Sequence, residues 1–223
     1  MSEKHKALIE SLVADAGSSS TNKPPRLLPV NLASLLYVVL SCVAVAGIMY
    51  VLQPFRSGIW QQFLNYPVFA LELISGFAAL LMLGFAMLRS SVPGSHLYAL
   101  PIGLGLLAIW LASILSGYFE PALPPSMAGK REECYFEALY YSAALALVAI
   151  YLLRVRYALR PGVTAAVGAL LVPSISAYLM QIACMHDVGH SMTHHLLPAF
   201  VSAVVLFPVF LLLVKPKDKP QES

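Results

Sequence analysis

Six apolar runs, each long enough to cross a lipid bilayer as a helix, leave this chain few choices of fold. They cover about Leu32–Leu52, Tyr66–Leu88, Leu97–Phe119, Tyr135–Leu153, Val163–Ala183 and Leu197–Val214. A helix needs roughly 20 apolar residues to span the hydrocarbon layer. In lipid every backbone N–H and C=O must find its partner within the segment, which leaves an all-α bundle as the expected architecture. Only 11% of the 223 residues are charged, against about a quarter in soluble domains, so the apolar excess has no place in water. The runs are bounded by charge, Pro or Gly, in "QPFRSG", "RSSVPGSH", "EPALPPSMAGKREE", "RVRYALRPG" and "KPKDKP". Pro173 and Pro208 fall inside spans, where neighbouring helices make kinks tolerable.

The division expected is a leading segment (1–31), a six-span domain (32–214) and a short tail (215–223). The start, "MSEKHKALIESLVADAGSSS", lacks the unbroken apolar core of a signal peptide. With both termini in the cytoplasm, the inside segments carry eleven Lys and Arg (Lys4, Lys6, Lys23, Arg26, Arg89, Arg154, Arg156, Arg160, Lys215, Lys217, Lys219). The outside loops carry three, Arg56, Lys130 and Arg131. Positive charge concentrates on the cytoplasmic side of membrane proteins, and this asymmetry sets the expected orientation.

Under that orientation the stretch "ACMHDVGHSMTHHLLP" joins spans five and six on the non-cytoplasmic side, as a turn over Met185–His195. It holds four of the six histidines. His186, His190 and His194 are spaced i, i+4, i+8, one stripe if the backbone is helical. Gly189 argues against a helix here, and Pro198 is placed to open span six after His194 and His195. Two readings stay open. One is an interfacial polar loop meeting water and headgroups. The other is a metal site for Zn or Cu, with Asp187, His195, Cys184 or Glu133 adding donors to the imidazoles. The pattern itself requires no cofactor. Cys134, at the start of span four, and Cys184, at the end of span five, lie at the same membrane face. They are either unconnected or paired, as a fixed staple or a redox switch. Cys42, mid-span, reads as an inert thiol.

Two carboxylates enter the spans. Glu72 lies about one and a half turns into span two, and Glu137 one turn into span four. A carboxylate in a bilayer faces a cavity, a partner or the interface. Glu137 is placed to reach the headgroups, which leaves Glu72 as the better functional candidate. No GxSxG, Walker loop, HExxH or paired-Asp motif is present, so the pattern offers no enzyme. In "KHKALIESLVAD", Leu8, Ile9, Leu12 and Val13 share one face while Lys4, Lys6, Glu10 and Asp15 lie mostly elsewhere. So short an amphipathic helix is marginal alone in water and needs a surface, either the membrane or a groove on a partner protein. "AGSSSTNKPPR" follows as a flexible tether.

The order of these features resembles the NrsF-type family of six-helix membrane anti-sigma factors. The marks are an "LIxxLxxD" helix, a Pro-containing tether and six spans. They continue with "LQPFR" after span one, "FALELISGFAAL" in span two, "VPG" before span three, and one Cys before span four and another ending span five. The resemblance implies a non-enzymatic transcription regulator in the bacterial inner membrane. Its N-terminal segment would hold an extracytoplasmic-function sigma factor, with no direct contact to nucleic acid, and release it in a stress response. The family's paired cysteines map onto Cys134 and Cys184, and its docking helix onto Leu8, Ile9, Leu12 and Asp15. A metal- or haem-handling membrane protein with the His stripe as its site is the alternative.

Overall fold

The computed structural model describes residues 27–92, 98–124, 126–156 and 158–214. The Leu8–Asp15 helix and the tail from 215 lie outside the described residues. Among the described residues the fold is helical, without strands: α1 (Val30–Leu52), α2 (Ile59–Asn65), α3 (Pro67–Arg89), α4 (Ala99–Ser116), α5 (Cys134–Arg156), α6 (Pro161–Ala183) and α7 (Val188–Val214). All but the short α2 are long and apolar enough to cross a membrane, and they mark a multi-pass membrane protein. Pro67 and Pro161 open α3 and α6, the position where a missing N–H costs nothing.

The last span departs from expectation. It begins at Val188 rather than Leu197, so His190, His194 and His195 belong to a helix and only Cys184–Asp187 connects it to α6. Asp187 supplies the start signal, its Oδ1 accepting from the His190 N–H at 2.7 Å. Pro198 lies inside the helix instead of opening it. Ser191–Leu196 just before it is wound as π-helix, a wider turn of the kind that accommodates local disruption of the i→i−4 ladder.

Lipid supplies no hydrophobic drive between helices, so close backbone approach and interhelical hydrogen bonds hold the bundle. α6 is the centre: every residue from Leu171 to Met180 is buried, against α1, α3, α5 and α7. α4 packs chiefly on α3, and α7 on α5 and α6. α1 offers one buried stripe, Ala33, Tyr37, Ser41, Val45 and Met49, at four-residue spacing. At Gly84 of α3 a Cβ would stand 2.6 Å from Val38 Cγ2, so only glycine allows that approach. Tyr37 donates to the Leu145 carbonyl (3.3 Å) and Ser142 to Ser176 (3.1 Å) across helices.

The two ends of the bundle differ. At one, Arg156 donates to the Leu28 carbonyl (2.6 Å), Arg154 to that of Leu213 (2.9 Å) and Arg89 to Asn31 Oδ1 (3.2 Å). The start of α1 and the end of α7 therefore share this arginine end. The other, the cysteine end, is covered by the segment between α4 and α5. Its Arg131 forms a two-pronged ion pair with Glu137 (3.0 and 3.2 Å) and donates to the Gln53 and Met49 carbonyls at the end of α1. Glu137 is thus held by a buried arginine rather than free to reach headgroups, because the loop folds back over its helix. Gly129, at φ 79°, lies against Arg56; a Cβ there would sit 2.5 Å from Arg56 Cβ.

Candidate cysteine–histidine site

Cys134, the first residue of α5, and Cys184, just past α6, are both buried, with sulfurs 2.9 Å apart and unbonded. Cys184 Sγ is 3.3 Å from His190 Nε2. With His195 these residues form a group whose four ligand atoms lie within 4.8 Å of one another, a set able to hold a metal ion. The π-helical turn explains how two histidines reach the cysteines. In such a turn the backbone hydrogen bonds run from i to i+5, and His190 and His195 (i, i+5) converge, ring centroids 5.1 Å apart. His195 is 1% exposed, and neither ring nitrogen has a hydrogen-bond partner among the described residues. Buried polar atoms without partners are rare and costly. Cys134 beside it, and after that His195, hold the Cys184 thiol below its ordinary range despite its burial.

The structure brings together only part of the expected set. His186 stays outside the helix: its carbonyl accepts from the Ser126 N–H (3.1 Å) and its ring meets Phe69 edge to face. The three-histidine stripe therefore does not form. Burial, and then Arg56, push the His186 imidazole down to about 4. Asp187 caps α7. His194 stacks on His190 at 4.3 Å and bonds Thr193, next to the site rather than in it. Glu133 is exposed, and Cys42 lies half-buried on α1, away from the cluster. The i+5 relation of His190 and His195 is present in the sequence, but only a π-helical turn makes it meaningful.

Glu72 heads a second polar system. Its carboxylate accepts from Ser113 (3.1 Å) and from Gln181 (2.7 Å), whose Oε1 accepts from the Trp110 indole (2.7 Å). A cavity of about 10 Å³ touches Glu72, Gln181, His186 and Ser191, close to the space one water needs. Nearby, Arg56 lies over the Phe69 ring at 5.0 Å, and none of its three nitrogens has a hydrogen-bond partner among the described residues. Burial lowers its guanidinium to about 10, so it stays charged at neutral pH.

The sequence fits the NrsF family, described as negative regulator of sigma F, over residues 12–211. The chain belongs to that family. NrsF proteins are a class of regulators rather than of enzymes, and their partner is a sigma factor. The match takes in five spans and all but the last three residues of the sixth, with Cys134, Cys184 and the four histidines of the α6–α7 region. No curated protein and no solved structure matches the chain.

Proposed function

We propose that this protein is an anti-sigma factor of the inner membrane. In this reading both termini face the cytoplasm, and Leu8, Ile9, Leu12, Val13 and Asp15 sequester an extracytoplasmic-function sigma factor. The cysteine end, facing outward, takes the signal that releases it. The family match over residues 12–211 carries the regulatory part. The four-residue group Cys134, Cys184, His190 and His195 supports a metal or oxidant as the signal.

The sulfur separation of 2.9 Å lies between two states. Two thiolates on a tetrahedral ion with Zn–S bonds of about 2.3 Å stand roughly 3.8 Å apart. In a disulfide they close to about 2.05 Å, the two thiols giving up two protons and two electrons to a soluble oxidant such as a peroxide. The two states exclude each other and move the start of α5 and the end of α6 in opposite senses. α5 runs from Cys134 to Arg156, and Arg156 holds the Leu28 carbonyl at the root of the leading segment. A change at the cysteine end thereby reaches the tether. Turning a 1:99 population into 99:1 takes about 5.5 kcal/mol, which the signal must supply as differential affinity.

A pull-down with residues 1–30 tests sequestration: capture of a sigma factor, lost with Leu8→Asp or Leu12→Asp, supports it, and failure to retain one counts against it. A second reading, a metal-handling membrane protein, is favoured by the same four-residue group. It predicts stoichiometric Zn or Cu in the purified protein with no sigma factor bound.

A further inference from the structure

Glu72 is 2% exposed and stands roughly 8 Å into α3 from Pro67, at 1.5 Å per helical residue. A carboxyl group is costly to keep inside a membrane span unless it is used. Among the described residues Glu72 makes no ion pair, and its two oxygens accept only from Ser113 and Gln181, both neutral.

The small chamber beside it has a way out. Gly117, His186 and Val188 line the chamber and also line a second, open recess, whose other walls include Tyr118, Asp187 and Gly189. These residues follow the end of α4, join α6 to α7 or begin α7. The recess therefore opens at the cysteine end, beyond the spans. A Cβ on Gly117 would stand 2.8 Å from Val188 Cγ2, so these two residues face each other across the throat between recess and chamber.

Size and lining decide what the chamber takes. Its volume of about 10 Å³ suits one water. Glu72 and the Ser191 hydroxyl are too few oxygens for calcium or magnesium, and no room is left for the waters that would complete a shell of six. The positive field of Arg56 also reaches Glu72. An anion would meet the carboxylate. A water suits both signs, and His186, whose Nε2 has no hydrogen-bond partner among the described residues, is the lining side chain with a polar atom to spare.

We propose that Glu72 is a proton-binding site, served from the compartment at the cysteine end by one water in this chamber. The carboxylate takes its proton from a hydronium ion arriving through the recess and leaves water behind; release reverses the step. Arg56, from the α1–α2 link, and His186 are the charged or titratable groups that act on Glu72 or share its chamber. Ser113 and Trp110 on α4 and Gln181 on α6 do not titrate. The site uses neither cysteine and stands whether or not the cysteine–histidine group takes a metal.

The full chain is reconstituted in phospholipid bilayers and followed by infrared difference spectroscopy from about pH 9 to 4, a range that spans ordinary and buried carboxyls. A protonated-carboxyl band is expected to grow as pH falls and to be missing from Glu72→Gln, a change that keeps the side chain's shape. No band assignable to Glu72 over that range, or one present throughout it, overturns the proposal. On transfer to D2O the band should shift as the proton exchanges. Gly117→Ala puts a methyl into the throat and should slow that exchange several-fold. Val188→Ala widens the throat and should speed it, and the double substitution should bring the rate back toward the parent's. Exchange that neither substitution moves overturns the route. If Gly117→Ala does not fold, Val188→Ala decides alone, and an unchanged rate there overturns it equally.

Discussion

Two buried arginines at the cysteine end have opposite surroundings. Arg131 is fully engaged, its guanidinium divided between Glu137 and the last carbonyls of α1. The Arg56 guanidinium has an aromatic face and no hydrogen-bond partner among the described residues. Two histidines share the Arg56 condition, since both ring nitrogens of His195 and Nε2 of His186 have no hydrogen-bond partner among the described residues. A satisfied polar group in a low-dielectric interior holds structure, whereas an unsatisfied one costs stability unless something else answers it. On this comparison the Arg131–Glu137 clamp holds the end of the bundle together. The cysteine–histidine region beside it is where a ligand or a bond would repair a deficit.

Four experiments break or sharpen that contrast. Removing one partner of a buried ion pair strands the other, so Arg131→Met should destabilise the protein by about 3–5 kcal/mol. Unfolding in detergent reads it, and a double substitution with Glu137→Met should recover much of the loss. His195→Phe should cost far less, because no hydrogen bond reaches either ring nitrogen among the described residues and only its influence on the Cys184 thiol is lost. Zn or Cd affinity should meanwhile fall by more than the roughly 10–100-fold that loss of an outer-shell partner costs. His186→Phe and His194→Ala should leave that affinity nearly unchanged. Titration with a metal indicator separates the three.

The third experiment is a pH series. A thiol whose folded value is lowered stabilises the fold fully above its ordinary value of 9.0, and that contribution drains away as pH falls toward the lowered one. Melting temperatures measured downward from pH 9 should therefore decline in the parent, and Cys184→Ala should remove that part of the slope. A flat parent profile would contradict the charge state drawn for Cys184. The smallest effect is expected at the opposite end of the bundle. Arg156→Gln loosens one exposed hydrogen bond to Leu28, worth about 0.5–1 kcal/mol. It should raise uninduced sigma-factor activity by a few-fold while metal affinity stays as it was. Unchanged reporter activity would detach the tether from α5.

Much of the fold was legible without coordinates because lipid imposes simple demands. Six runs of sufficient length with charged or Pro boundaries leave little but a helical bundle, and the observed helices begin and end within a few residues of the expected runs in five of six cases. The sixth failed for a local reason. Gly189 argues against helix and Pro198 is placed to open the span, yet the Asp187 cap and the π-helical turn start the helix at Val188. The shared depth of Cys134 and Cys184 could be read from the spans. Glu137 could not be assigned correctly, since its partner lies in a loop whose path the sequence leaves open.

What the amino-acid order determined by itself was the number of spans, the segregation of basic residues toward one set of loops and the family to which the chain belongs, because these depend on hydropathy, charge and motif order along a line. Tertiary structure alone decided which histidines face the cysteines, which glutamate is clamped and which is enclosed, and that α6 is buried on every face from Leu171 to Met180. In a chain apolar on every helical face, burial follows from which neighbours a helix meets, and that is a property of packing in three dimensions.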